Sequence, residues 1–215
     1  AEMLRGMPVF EYLETDRDLA EVFNNAMTAV SAMAIETLMP AYDFSRFKTI
    51  VDVGGGHGAL LAAVLQQATD AQGVLFDLPS VVAGAGSVLD AAGVSDRITV
   101  TGGSFFEAVP EGGDAYLLKT IIHDWDEDSA LVILRNIRKA IDPAGTLALI
   151  EMVLPEGTAH HPGMLLDLEM LVAAGGQERT GAQYADLLAR AGFRQTRVVS
   201  TAGPMSLVEA VPVHD

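Results

Sequence analysis

TIVDVGGGHGAL, Thr49 to Leu60, is a short apolar run that breaks into four glycines within five positions and then resumes as a helix-forming sequence. Ile50, Val51 and Val53 suit a buried strand, Gly54, Gly55, Gly56 and Gly58 form the turn, and Ala59, Leu60 and Leu61 open a helix. Glycines at such a turn let the backbone take positive φ and let a ligand lie against bare main chain. The amides that open the helix offer donors to an anionic or polar ligand group. The unit predicts an α/β domain that holds a nucleotide-like ligand at the tip of its first strand.

The spacing alone leaves the ligand open, because Gly54, Gly56 and Ala59 also satisfy the G-x-G-x-x-G/A dinucleotide pattern. The next strand, GVLFDL, carries Asp77 at its end, 23 positions after Gly54. An acid at that strand tip binds ribose hydroxyls. NAD and S-adenosylmethionine both carry that ribose. In the blandest reading the glycines serve tight packing and nothing more.

Composition narrows the field. A chain of 215 residues, 50% of them hydrophobic, buries a sizeable core and most simply forms one large domain with a small helical annex. A net charge of -16 argues against a nucleic-acid partner, since such proteins spread Lys and Arg over one face. The acidity suits a cationic cofactor but more often serves solubility. There is no cysteine, hence no disulfide frame, thiol nucleophile or Cys-based metal site. Neither an apolar run of about 18 residues nor a signal-peptide pattern is present, so no membrane association and a cytoplasmic location are expected.

Residues 1–47 read as a helical segment packing on an α/β domain, residues 48–215. Leu19, Val22, Phe23, Ala26, Met27 and Val30 keep helical spacing, Thr15 and Asp16 are candidate caps, and Pro40 closes the helix. From residue 49 onward strands and helices alternate, which predicts a mostly parallel sheet covered on both faces. Strands are expected near 49–53, 73–78, 97–101, 115–122 and 146–153, with helices at 58–69, 80–92 and 127–141. After helices at 164–174 and 181–191, strands 194–201 and 206–212 are joined through Gly203-Pro204. A connection that short allows only an antiparallel pair. A Rossmann-like sheet of seven strands ending in an antiparallel hairpin favours S-adenosylmethionine over NAD.

Ligands in such sheets bind at the carboxyl ends of the strands, so the polar residues at strand tips matter most: Asp77, Ser104, Lys119 to Trp125, and Glu151. LLKTIIHDWDED delivers Lys119, His123, Asp124 and Trp125 to that edge. An ordinary imidazole, with a pKa of about 6.5, is mostly neutral at neutral pH and serves as a general base. Taken alone, such a His is more often a cap or a backbone partner. Glu151 at the next strand tip and Glu178 after Gly175-Gly176 reverse that weighting, because both reach His123 from neighbouring loops and stabilise its imidazolium. His57, His160, His161 and His214 lack such company and read as loop or tail residues.

The sequence resembles the small-molecule O-methyltransferases that include plant caffeic acid and flavonoid enzymes and bacterial polyketide-tailoring enzymes. The resemblance runs from about Phe10 to Pro212 through VFEYL, VFNNAM, VDVGGGHG, FDLPSV, GGSFFEAVP, LLKTIIHDWDED, LIEMVLPEG and GGQERT. It implies an S-adenosylmethionine-dependent O-methyltransferase of secondary metabolism acting on a small-molecule hydroxyl, with phenols as the expected acceptors. By the resemblance, Gly54, Gly55 and Gly56 line the cofactor, Asp77 binds its ribose, Leu78 and Phe105 flank its adenine, and Lys119 lies near it. Ser104 stands where plant members generally have Asp, and its hydroxyl serves the adenine amino group. His123 is the base and Glu151 and Glu178 its flanking acids. The substrate pocket maps to Leu13, Phe23, Met27, Met170 and Ala174. No metal is expected, because the site residues lack the carboxylate cluster of Mg-dependent catechol-type enzymes. Family members carry an N-terminal dimerisation domain of winged-helix type that these 215 residues do not include, so a homodimer is expected where that domain is present. A non-catalytic or repurposed S-adenosylmethionine binder is the alternative, and an NAD-dependent reductase a third reading.

Overall fold

A computed structural model describes residues 6, 12–13, 15–157, 161–173 and 175–214. Val9, Phe10, Glu11, His160 and Ala174 lie outside the described residues. Strand β1 (Thr49–Val53) pairs in parallel with β2 (Gln72–Asp77) on one side and with β4 (Ala115–Lys119) on the other. β3 (Ile98–Gly102) extends the sheet beyond β2, and β5 (Thr146–Glu151) extends it beyond β4, both in parallel. β7 (Ser206–Pro212) then runs antiparallel between β5 and β6 (Phe193–Ser200), giving seven strands in the order β3-β2-β1-β4-β5-β7-β6. The strand order reverses between β1 and β4, and the crevice outside their carboxyl ends is where such a sheet takes ligands.

Alternation along the strands sends side chains to two buried layers. Ile50, Leu75, Leu117 and Ile150 meet α1 (Arg17–Leu38), α2 (Ala59–Gln67) and α4 (Gly86–Ala92) on one face. Val51, Val53, Phe76, Leu118 and Leu149 meet α5 (Glu127–Ala140) and α7 (Gly181–Arg190) on the other. Asp52 occupies a first-layer position and is as buried as its apolar neighbours, at 1% exposure.

Three expectations change. The helix expected over 80–92 is broken into α3 (Pro79–Val82) and α4, because the chain opens at Gly84 against His57. A Cβ at Gly84 would lie 2.7 Å from the His57 Nε2. Strand four, expected to reach 122, stops at Lys119: Thr120 takes a φ of 52°, and Ile122–Asp124 form a short 3₁₀ turn. Ile121 and Ile122 continued the apolar pattern, but their amides turn away to a side chain of β5 described below. Finally, the face of α1 expected to pack on the sheet is only partly used. Asp16 caps the helix by accepting from the Leu19 amide, yet Val22 is 66% exposed, Met27 is exposed, and burial begins near Ser31, Ala34 and Leu38. The α6 helix (Gly163–Ala173) likewise exposes Leu165, Leu168, Leu171 and Val172.

The turn after α1 is held to the reversed strands through Glu209. Its carboxylate accepts from Tyr42 at 2.5 Å, from Arg46 at 2.7 Å, from Thr196 at 2.7 Å and from Arg197 at 3.0 Å. Burial pushes this carboxyl up, but these donors outweigh it and hold it at about 2. Since the ordinary value is 4.5, the contribution to stability is present above that pH and is lost as pH falls toward 2. Glu209→Gln is expected to lower stability by about 1 to 3 kcal/mol at neutral pH, with a smaller deficit at pH 3. Urea midpoints at the two pH values check this, and an equal deficit at both would refute the charge-based account.

Candidate functional site

The glycine turn closes over the tips of β1 and β2. Gly54 and Gly55 donate to the Phe76 carbonyl at 2.8 and 3.3 Å, and Gly54, Gly56 and Gly58 have φ of 69°, 59° and 81°. Those angles belong to the left-handed region that glycine enters without steric cost. A Cβ at Gly54 would strike Ile121 at 2.5 Å, and one at Gly55 would lie 2.7 Å from the Asp52 Cγ. At Gly56 a Cβ would meet nothing within 4 Å, so bare backbone faces open space. Asp77 bonds the turn directly: Oδ2 accepts from the Gly56 amide at 2.8 Å and Oδ1 from the Leu78 amide at 2.7 Å. Burial raises its carboxyl, and these two amides pull it back. Each oxygen retains lone pairs for further donors.

Ser104 caps the turn that follows β3, its hydroxyl accepting from the Phe106 amide at 3.3 Å. The Phe105 ring comes 3.7 Å from the Cβ position of Gly54 and meets Trp125 edge-on at 6.0 Å. Lys119, at the tip of β4, donates to the Thr120 hydroxyl at 3.0 Å. Burial lowers its ammonium pKa, opposed by the charges of Asp52, Glu151 and Asp124.

The acid side of the site is built round the turn after β4. His123 is 6% exposed, and its Nδ1 lies 2.7 Å from Glu178 Oε1 and 3.9 Å from Glu151 Oε2. Its Nε2 stands 3.5 Å from Asp124 Oδ1. A carboxylate only accepts, so the proton between His123 and Glu178 belongs to Nδ1, and Nε2 is an acceptor only in the neutral imidazole. Glu151 Oε1 takes the Ile121 and Ile122 amides at 3.2 and 2.9 Å, while Oε2, like Glu178 Oε2, has no hydrogen-bond partner. Burial alone would lower the imidazole, but Glu151, Glu178 and Asp124 outweigh it and raise it to about 9. Burial in turn raises Glu151 to about 7 and Asp124 to about 6, each opposed by His123. Two sequence expectations are corrected here. His123 is not an ordinary imidazole of pKa about 6.5, and the site does contain a carboxylate cluster: His123, Glu151 and Glu178 each offer a ligand atom within 4.8 Å of the others.

Glu178 reaches His123 because the segment before it lies hard against the turn. Gln177 donates to the His123 carbonyl at 2.9 Å, and a Cβ at Gly176 would fall 1.9 Å from that same oxygen. Met170 lies in the last turn of α6, and its carbonyl accepts from the Gly175 and Gly176 amides. Of the other expected pocket residues, Leu13 and Phe23 are half-buried and Met27 is exposed.

Sequence reasoning passed over Asp52, Gly176 and Arg179. Asp52 was detectable as the charged residue in an apolar strand, and burial raises its carboxyl to about 7 against the pull of Lys119, with Oδ2 unpartnered. Gly176 and Arg179 sit inside the quoted GGQERT, but no local pattern reveals a contact with residues more than 50 positions away.

A sheet with this order and a reversed seventh strand, with a glycine cradle above its switch point, defines the S-adenosylmethionine-dependent methyltransferase fold. The O-methyltransferase domain family matches residues 2–194, and the chain belongs to that family. It is 44% identical over 97% of its length to a phenazine O-methyltransferase of Lysobacter antibioticus, covering 61% of that protein. It is 43% identical over 97% of its length to the O-demethylpuromycin-O-methyltransferase of Streptomyces alboniger, covering 57% of it. The crystal structure of an O-methyltransferase from neocarzinostatin biosynthesis, in complex with S-adenosylhomocysteine and 1,4-dihydroxy-2-naphthoic acid, superposes with a TM-score of 0.90. That match has 33% identity and covers 99% of this chain and 63% of the other. The chain thus spans about three fifths of the length of these relatives.

The residues present fit S-adenosylmethionine. Gly56 leaves open the space a side chain would fill, Asp77 keeps acceptor lone pairs beside it that suit hydroxyl donors, and the acids Asp52, Asp77, Asp124, Glu151 and Glu178 suit a cation. Asp77→Ala is expected to weaken S-adenosylmethionine binding by about 1 to 3 kcal/mol. Isothermal titration measures it, and an unchanged dissociation constant would remove the ribose assignment.

Proposed function

We propose that the chain is the catalytic domain of an enzyme that methylates a hydroxyl, phenolic by preference, of a small aromatic or polyketide-like molecule. The observation that carries this reading is the His123–Glu178 contact at 2.7 Å beside the glycine cradle, which in the neutral form of the ring directs Nε2 to take a proton. When bound, S-adenosylmethionine supplies an electrophilic methyl group on its sulfonium. A phenol has a pKa of about 10, so at neutral pH its oxygen needs a base to become a strong nucleophile. Nε2 of His123 accepts the hydroxyl proton while Nδ1 stays bonded to Glu178. The resulting imidazolium faces Glu178, Glu151 and Asp124, whose charges favour it.

Leu13, Phe23, Met27, Met170 and Ala174 are assigned to the acceptor pocket on the resemblance, with Leu78, Ser104, Phe105 and Lys119 on the cofactor side. The exposed apolar side chains of α1 and α6 support a further domain packing there, and a homodimer in the longer protein. No helix among the described residues is long and apolar enough to cross a membrane. A cytoplasmic, metal-free enzyme is the reading adopted. The support for the metal-free part is that Nδ1 is already bonded to Glu178 and that Glu151 Oε1 is committed to two backbone amides.

Labelled S-adenosylmethionine incubated with a panel of phenols tests the activity, with and without EDTA. Transfer to at least some phenols, unchanged by the chelator, is expected. Absence of transfer to any hydroxyl would remove the enzymatic reading, and loss with EDTA restored by Mg²⁺ or Zn²⁺ would remove the metal-free one.

A further inference from the structure

Arg179 carries a charge that the reaction described above does not use. It is 2% exposed, and no salt bridge found among the described residues involves it. Its guanidinium collects carbonyls instead: NH1 donates to Ile122 at 3.0 Å and to Gln177 at 3.2 Å, and NH2 donates to Trp125 at 3.2 Å. Ile122 and Trp125 bracket His123 and Asp124, and Gln177 precedes Glu178. The Arg179 carbonyl accepts from Leu154, three residues beyond Glu151, at 2.9 Å.

The turn that bears His123 is one the backbone does not adopt unaided. Thr120 enters it at a φ of 52°, in the left-handed region that costs a β-branched residue free energy, and the 3₁₀ turn follows at once. Its groups are gripped from two sides. The amides of Ile121 and Ile122 go to Glu151, and the carbonyls of Ile122 and Trp125 go to Arg179. A planar fork with separated donors reaches carbonyls on both sides of the turn, which the single ammonium of a lysine does not.

The geometry points to Arg179 as a positioning residue that sets the base of this reaction by fixing the His123 turn in register with Glu178. Arg179 touches neither acceptor nor cofactor in this account and acts only through His123. The proposal rests on the general-base reading of His123.

The test is a double-mutant cycle in the full-length protein with Arg179→Lys, which keeps the charge, and Arg179→Met, which keeps an unbranched apolar stem. Each variant is scored only when its S-adenosylmethionine affinity matches wild type. In the wild-type background either is expected to lower kcat by about 10-fold to 100-fold, the usual cost of misplacing a catalytic group by about 1 Å. In the His123→Ala background the same substitution is expected to change kcat less than about twofold, because groups acting as a unit are non-additive. In histidine-labelled protein, the His123 Nδ1 proton resonance is expected to weaken in the Arg179 variants. Wild-type kcat in both variants, an equal loss in the two backgrounds, or failure of both to recover cofactor affinity would overturn the proposal, the last by making Arg179 a support of the whole domain. Wild-type turnover in His123→Ala alone defeats the general-base reading itself, whereas a large His123→Ala loss with additive Arg179 effects defeats only the positioning role.

Discussion

Replacing His123 with Ala is expected to lower kcat for methyl transfer to a phenol of ordinary acidity by about 100-fold to 10,000-fold, the usual worth of a general base, and to leave S-adenosylmethionine affinity near wild type. The separation follows from position: His123 stands on the turn after β4 among acids, while the cradle is made by the turn after β1 and by Asp77. The pH profile sharpens the expectation. With the imidazole raised to about 9 by Glu151, Glu178 and Asp124 despite its burial, the base is mostly protonated at neutral pH. The kcat/KM for the wild type should therefore climb through neutrality and level off near 9. Glu178→Gln removes a negative charge from Nδ1, so the rising limb should move to lower pH, with a loss of rate smaller than that of His123→Ala. In the Ala variant a more acidic phenol should recover rate better than a less acidic one, because it ionises unaided. Near wild-type turnover of His123→Ala on an ordinary phenol would mean that proximity alone drives the transfer.

Gly176→Ala is the substitution expected to do the most damage for its size. The added Cβ would lie 1.9 Å from the His123 carbonyl oxygen, 2.5 Å from the Asp124 carbonyl carbon and 2.8 Å from its oxygen. All three are backbone atoms, so no side chain can swing aside. Either the segment from Gly176 to Arg179 retreats, or the His123 turn does, and both movements break the 2.7 Å contact with Glu178. A fall in kcat of about 100-fold is expected from a displacement near 1 Å, with a loss of stability of about 1 to 3 kcal/mol for overpacking. Gly175→Ala is the matched control. Gly175 has a φ of 79° and open space round its Cβ position, so alanine there strains its own backbone without pressing on His123. Thermal melts and kcat for the pair decide the matter. If the two variants lose stability equally and Gly176→Ala keeps wild-type kcat, the close approach does not set the base.

Much of the domain was readable locally because its information is local. A β-branched run, four glycines and an apolar helix force a strand, a turn with positive φ and a helix, whatever surrounds them. The alternation that follows leaves a doubly wound sheet as the simplest arrangement, and the brief Gly203-Pro204 connection dictates that the last pair is antiparallel. The same reasoning put His123 and Glu151 at the ligand edge, since residues at strand tips share that edge in a parallel sheet, while Glu178 was placed beside them from the loop after Gly175-Gly176.

What periodicity could not carry was anything set by partners distant in the chain. Ile121 and Ile122 look like strand, yet their amides leave the ladder for Glu151, 30 and 29 residues away, and the strand ends at Lys119. The imidazole pKa depends on its neighbour Asp124 and on Glu151 and Glu178, two carboxylates from other segments that only the packed domain brings within 4 Å. Gly176 and Arg179 are ordinary residues in the sequence, and they acquire a role because the chain after α6 is pressed against the His123 turn. Local steric preference thus determined the sheet and the edge where chemistry occurs. Long-range packing, which places buried charges and carbonyls within hydrogen-bonding reach, decided how the base is held and at what pH it works.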